Sequence, residues 1–257
     1  MPSFLFVCVT CAQVVGVVML VLLGYWTGNI LGGFAWDGSS QEFNLHPLLM
    51  VIGLVYMYGQ AIMVFRVFNK ESKVVIKTMH LLTQIFGFIC ACIGLKAVFR
   101  NHNVNGIANM YSIHSWAGIV VFTLFTCQLL FGFLFFFFPK ASESLRKSYL
   151  VVHRFFGIAI FVGAIGVACM GLLEKLGFQY PNDAEEPYST LPTGAMIGNF
   201  LGLMICLFGG LVAFIVTHSD FKRVDEPVDE EVRPLTSSTS EMKAYQASEA
   251  AADTEQQ

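Results

Sequence analysis

Charge is what this sequence lacks over most of its length. No Asp, Glu, Lys or Arg occurs from Met1 to Trp36, Phe43 to Phe65, Thr78 to Leu95, Asn101 to Pro139, Phe155 to Leu173 or Pro187 to Ser219. Of 257 residues, 13% are charged and 55% hydrophobic, which excludes an ordinary soluble domain. The apolar runs are continuous rather than alternating, which argues against a membrane β-barrel. No basic patch suited to nucleic acid is present. No N-x-S/T acceptor occurs, so glycosylation gives no clue to sidedness. The start, Met1-Pro2-Ser3, lacks the positive n-region of a signal peptide, and the first segment reads as a retained helix. The seven cysteines all lie in apolar runs. Cys8 and Cys11 have C-x-x-C spacing, but Ala12 follows where covalent haem attachment needs His. The cysteines read as buried free thiols.

What is present is six segments of spanning length. A membrane-crossing helix needs about 20 mostly apolar residues. The predicted spans are roughly 5–27, 44–66, 78–99, 110–138, 149–173 and 194–217. The fold class is therefore an all-α membrane protein of six transmembrane helices over residues 1–219. Residues 220–257 read as a polar, disordered cytosolic tail. The second and fourth loops carry eight Lys and Arg, against three in the other loops. The positive-inside rule then places both termini and the basic loops in the cytosol.

Four histidines recur inside these apolar stretches: His46, His80, His114 and His153, spaced by 34, 34 and 39 residues. A histidine is costly within a bilayer, so this regularity needs a cause. His46 and His114 fall near the non-cytosolic face, on helices 2 and 4. His80 and His153 fall near the cytosolic face, on helices 3 and 5. In an up-down-up-down bundle, alternate helices lie across the core from each other. The pairs are then His46/His114 and His80/His153, roughly 20 Å apart at ~1.5 Å per residue. The blander reading is polar glue between helices, or a proton path. Zinc would want three or four protein ligands. Two imidazoles suit a haem with both axial positions filled, so helices 2–5 are expected to form a four-helix bundle around two haems.

The neighbours of the histidines carry further expectations. Gly118 and Gly157 follow His114 and His153 by four, and Gly53 and Gly87 follow His46 and His80 by seven. A flat macrocycle against a helix needs a missing side chain, so these glycines are candidate cofactor contacts; simple helix packing is the alternative. Lys73, Lys77 and His80 share a helix face by spacing, and Arg146 lies seven before His153. These cations suit a small anionic reductant or haem propionates, and Arg66 is a candidate propionate partner; plain topology also accounts for them. On the other face Tyr111 lies three before His114, with Asn101 and His102 in the adjoining loop. These three residues mark a candidate acceptor site. His218 reads as a charge at a helix C-terminus.

The residues Phe43-Asn44-Leu45-His46-Pro47, Tyr111-Ser112-Ile113-His114-Ser115-Trp116, Lys73…Lys77…His80, and Ser144-Leu145-Arg146 before His153 carry a resemblance. With them, from about Gly33 to Arg223, the chain resembles the cytochrome b561 family of ascorbate-dependent transmembrane reductases. The resemblance implies two b-type haems and electron transfer from cytosolic ascorbate to monodehydroascorbate or a ferric chelate across the membrane. It implies ascorbate binding by Lys73, Lys77 and Arg146, and an opposite substrate site at His102 and Tyr111. It also implies a homodimer, in a secretory-vesicle, endolysosomal or plasma membrane. The alternative from another class is a histidine-based transmembrane metal-ion transporter.

Overall fold

The computed structural model describes residues 3–222. Most of the tail expected at 220–257 lies outside the described residues. Six helices are long and apolar enough to cross a membrane: α1 (Phe4–Ile30), α2 (Ser40–Val67), α3 (Lys73–Asn105), α4 (Ile113–Phe136), α5 (Glu143–Gln179) and α6 (Thr193–Thr217). No strand occurs among the described residues. In lipid every backbone N–H and C=O must be paired within the segment, and a helix does this for each apolar run.

Serines set where the helices begin. The hydroxyls of Ser3, Ser72, Ser112 and Ser142 accept from the backbone N–H of Phe6, Val75, Ser115 and Leu145. Each satisfies one of the unpaired donors of a first turn. Ser112 and Ser115 form a reciprocal capping box at the start of α4. Gly106 stops α3 in the left-handed conformation, at φ 66°.

α3 and α5 run beyond their apolar stretches, to 33 and 37 residues. At 1.5 Å per residue, α5 is about 55 Å long against a hydrocarbon core of about 30 Å. The charges at Lys73, Lys77, Glu143, Arg146, Glu174 and Lys175 end the hydrophobic run without ending the helix. Two spans contain π-helical turns, at Trp26–Ile30 in α1 and Val51–Met57 in α2.

α2 packs beside α3 and α5, and α4 beside α3 and α5. The four form a ring, leaving α2 diagonal to α4 and α3 diagonal to α5. α1 packs on α6, and α6 against α5 and α2. Small residues allow the close crossings. A Cβ on Gly53 would lie 2.7 Å from the Gly87 carbonyl oxygen, and one on Gly87 would lie 2.8 Å from that of Gly53. Gln13 and Gln60 exchange two amide hydrogen bonds, at 2.9 and 3.0 Å, tying α1 to α2.

A buried aromatic group fills the middle of the ring. The Tyr58 ring lies 5.3 Å from Phe125 and 5.6 Å from Phe161, and Phe88 stacks on Phe122 at 5.7 Å. All seven cysteines are free thiols, but only Cys8 and Cys90 are buried. Cys11, Cys92, Cys127 and Cys206 are exposed within apolar spans, which corrects the expectation of uniform burial. A membrane helix meets lipid on its outer face, so apolar sequence there does not require burial against protein.

Candidate functional site: two histidine pairs and two polar mouths

The ring of helices brings the histidines together in two pairs. His46 and His114 have ring centroids 6.1 Å apart, with planes at 84°. His80 and His153 are 6.2 Å apart, at 70°. A metal held by two opposed imidazole nitrogens at about 2.0–2.1 Å each sets centroids about 6 Å apart. No cluster of three or more His, Cys, Asp or Glu suited to a metal ion occurs among the described residues. Each pair thus has the spacing and donor set of an axially bis-imidazole haem rather than of a zinc site.

The rings are aimed by the neighbouring helix. His46 Nδ1 lies 3.2 Å from the Gly94 carbonyl on α3, and His80 Nδ1 lies 2.8 Å from the Ala61 carbonyl on α2. His114 Nδ1 lies 3.0 Å from the Val167 carbonyl on α5. A carbonyl can only accept, so each Nδ1 carries the proton and Nε2 keeps its lone pair. The two helix pairs, α2 with α3 and α4 with α5, repeat this arrangement. The fourth position differs. His153 Nδ1 is buried and without a hydrogen-bond partner among the described residues, while Gln128 Nε2 donates to the His153 carbonyl at 2.5 Å. Fourteen residues of α3 separate His80 from Gly94, so the two levels lie about 21 Å apart.

The glycines divide by use. Gly53 and Gly87 pack against each other, so their missing side chains serve the crossing of α2 and α3. Gly118 lines the cavity beside His46 and His114. Gly157 faces the Gln128 amide, and its carbonyl accepts from the Tyr58 hydroxyl at 2.9 Å. Two other glycines abut the rings. A Cβ on Gly171 would lie 2.5 Å from His114 Cε1, and one on Gly132 would lie 3.0 Å from His153 Cε1. Sequence reasoning missed both, because each abuts a histidine on a different helix.

At the His80/His153 end, Lys77 lies within reach of the charges of Lys140, Arg146 and Lys73. Lys140 joins the three cations singled out from the sequence. Lys73 is exposed, and Lys77 and Arg146 are half-buried. Arg146 Nη1 donates to the Ala141 carbonyl at 2.6 Å, which points the guanidinium at the loop between α4 and α5. Arg66, a candidate propionate partner, donates to the Val216 carbonyl and ties α2 to the last turn of α6. His218 sits at that helix end, stacked on Phe221 at 4.4 Å.

At the other end, a cavity of about 160 Å³, partly open to solvent, reaches the His46 and His114 rings. An outer pocket adjoins it, and the two share Phe43, His102, Tyr111, Lys175 and Phe178. Phe43 stacks on His102, 6.4 Å away at 15°, and lies 6.1 Å from His46. Asn101 and His102 lie in the last turns of α3 rather than in the expected loop; Asn101 lines the outer pocket, and its amide donates to the carbonyls of Gly38 and Ser39 at 3.0 and 2.8 Å. The buried Glu42 carboxylate accepts from Gly38 N–H and from Arg100, which pins the first loop to the end of α3. Partial burial and the Glu174 charge push the Tyr111 phenol above its ordinary range, so it stays a hydrogen-bond donor. Phe43 lay in a quoted motif without a role. In the sequence Lys175 is only a cation beside Glu174 at the end of an apolar run.

Six apolar helices and two stacked imidazole pairs define a multi-pass membrane protein. The family model of the eukaryotic cytochrome b561 matches residues 45–179. The transmembrane ascorbate-dependent reductase CYB561 of Ovis aries is 45% identical over 212 residues, covering 82% of this chain and 82% of that protein. The protein of that name from Homo sapiens is 44% identical over 222 residues, covering 86% of each. The lysosomal membrane ascorbate-dependent ferrireductase CYB561A3 of Mus musculus is 40% identical over 222 residues, covering 86% and 91%. The chain belongs to the cytochrome b561 family and is an oxidoreductase.

Proposed function

We propose that this protein carries single electrons across a membrane, from cytosolic ascorbate to an acceptor on the other side. Two haems b are held by His80 with His153 and by His46 with His114. The observation that carries this reading is the pair of imidazole–imidazole spacings, 6.2 and 6.1 Å, at two levels of one bundle. The names of the relatives supply the reductant.

Held by these imidazoles, haem b would supply a one-electron iron couple rather than an oxygen-binding site. The protein's residues do the rest. Backbone carbonyls fix the tautomers of His46, His80 and His114, leaving Nε2 as the donor atom. Lys73, Lys77 and Arg146 attract monoanionic ascorbate to the His80/His153 end. Ascorbate gives up one electron there and releases a proton to cytosolic water, leaving monodehydroascorbate. Tyr58, Phe88, Phe122, Phe125 and Phe161 pack the space between the levels and keep it dry. At the far end the acceptor, monodehydroascorbate or a ferric chelate, lies over Phe43 between His102 and Tyr111. No proton crosses, so the step moves charge and responds to the membrane potential. The likeness to a lysosomal relative favours the endolysosomal membrane among the expected ones, and the family resemblance supports a homodimer.

The test is transfer across sealed vesicles holding the purified protein. With ascorbate trapped on the Lys73/Lys77 side, external ferric citrate or monodehydroascorbate is reduced. Mutating Lys77 slows electron arrival without changing the acceptor KM. Failure of trapped ascorbate to reduce the protein's haem, or any acceptor, defeats the reading.

A further inference from the structure

We propose that Lys175 is the anion-binding, specificity-determining residue of the non-cytosolic acceptor site. This rests on the reading that the acceptor mouth lies at Phe43, His102 and Tyr111. The ligand class is a small oxyanion with adjacent oxygen donors. Such oxygens are presented by a carboxylate-bearing ferric chelate and by monodehydroascorbate.

The geometry singles out this cation. Lys175 Nζ sits 5.0 Å from the centroid of Phe43, the ring that stacks on His102 and reaches toward His46. Lys175 lines both the inner cavity and the outer pocket, so it stands where the two meet. It is half-buried, and no carboxylate pairs with it among the described residues. The charges around the first loop are paired or held elsewhere. Glu42 is neutralised by Arg100, and Lys96 and Arg100 lie over the Trp36 ring. The adjacent Glu174 carboxylate turns to the Ser112 hydroxyl at 3.4 Å. At the junction stands one ammonium with three donors on an aromatic face, with the Glu174 carboxylate lining the inner cavity beside it. His102 and Tyr111 line the same junction. A positive group in a low-dielectric cleft concentrates anions there and repels cations.

No covalent bond is made by the protein in the step this implies. A ferric chelate takes one electron and becomes ferrous. Monodehydroascorbate takes one electron, with a proton from non-cytosolic water, and becomes ascorbate.

The test uses the full chain in sealed vesicles loaded with ascorbate. Four external acceptors are compared: ferric citrate, monodehydroascorbate, anionic hexacyanoferrate(III) and cationic hexaammineruthenium(III). Lys175→Gln raises KM for the three anions about tenfold, since a charge-assisted contact is lost. It leaves the cation's KM level or lower, and Lys175→Arg restores the anions. The haem spectrum and its reduction by ascorbate stay unchanged. Redox-inert gallium(III) citrate competes in the wild type and not in Lys175→Gln. Separate titrations of ferric citrate and monodehydroascorbate show which of the two sources saturates the site. The wild type alone gives a second readout: rising salt increases KM for anions and lowers it for the cation. Equal changes for anions and cation, or no salt effect of opposite sign, overturn the role of Lys175. A wild type that reduces no external acceptor overturns the functional reading instead.

Discussion

His114 and Gly171 meet across α4 and α5 so closely that a Cβ on Gly171 would stand 2.5 Å from His114 Cε1. The carbonyl of Val167, one turn earlier on α5, takes the His114 Nδ1 bond at 3.0 Å. One turn of α5 thus aims the ring and leaves room for it. Gly171→Ala forces the ring or the helix aside and costs about 1–3 kcal/mol as overpacking. The expected outcome is loss or broadening of the spectrum of one haem, with the other intact. Gly166→Ala, where a Cβ meets nothing within 4 Å, is the control that changes neither. Absorbance and electron paramagnetic resonance of the two variants check this.

Gly53→Ala and Gly87→Ala have a different signature. Each puts a methyl group into the facing backbone, at 2.7 or 2.8 Å, where neither helix has a side chain to move aside. Destabilisation of about 1–3 kcal/mol is expected. Because α2 and α3 carry ligands of both pairs, thermal unfolding falls and both haems loosen together. Loss of one haem alone contradicts this placement.

Removing Arg100 leaves Glu42 with a buried charge. Breaking a buried ion pair costs about 3–5 kcal/mol, and the 38% exposure of the Arg100 side chain puts this case at or below the lower limit. Arg100→Met is expected to be more destabilising than Glu42→Gln, which retains an acceptor for Gly38 N–H. Both free the first loop, so KM for the external acceptor rises while ascorbate oxidation is unaffected. Thermal melts and the two half-reactions separate these effects.

Lys77→Gln is expected to raise the ascorbate KM by about tenfold, in keeping with one lost charged contact. The dependence of that KM on salt flattens, because one of four clustered cations is gone. Acceptor KM and haem spectra stay as in the wild type.

Much of the fold is legible in the sequence because lipid is a strict solvent. A charge-free run of spanning length has few alternatives to a helix, so Phe43 to Phe65 or Asn101 to Pro139 each declares a span. The ends are less legible, since Lys73 and Lys175 leave the apolar run while the helix continues. The two histidine levels follow from counting residues along antiparallel helices. What abuts each ring does not follow, because Gly132 and Gly171 face histidines on a neighbouring helix. Gly53 shows a further limit. It lies in the π-helical stretch Val51–Met57, where the turn is wider than 3.6 residues, so its seven-residue spacing from His46 does not keep one face. The place of Lys175 is not legible either, because only the fold brings it over Phe43.

The most direct test of two stacked bis-histidine sites is the haem content per chain across single and double alanine variants, measured as the pyridine haemochrome. The wild type is expected to hold two haems b. His80→Ala, His153→Ala and their double variant each hold one, with the same spectrum. His46→Ala with His114→Ala holds the other, and His46→Ala with His80→Ala holds none. A wild type without haem, or a His46→Ala/His80→Ala variant that keeps one, contradicts the pairing.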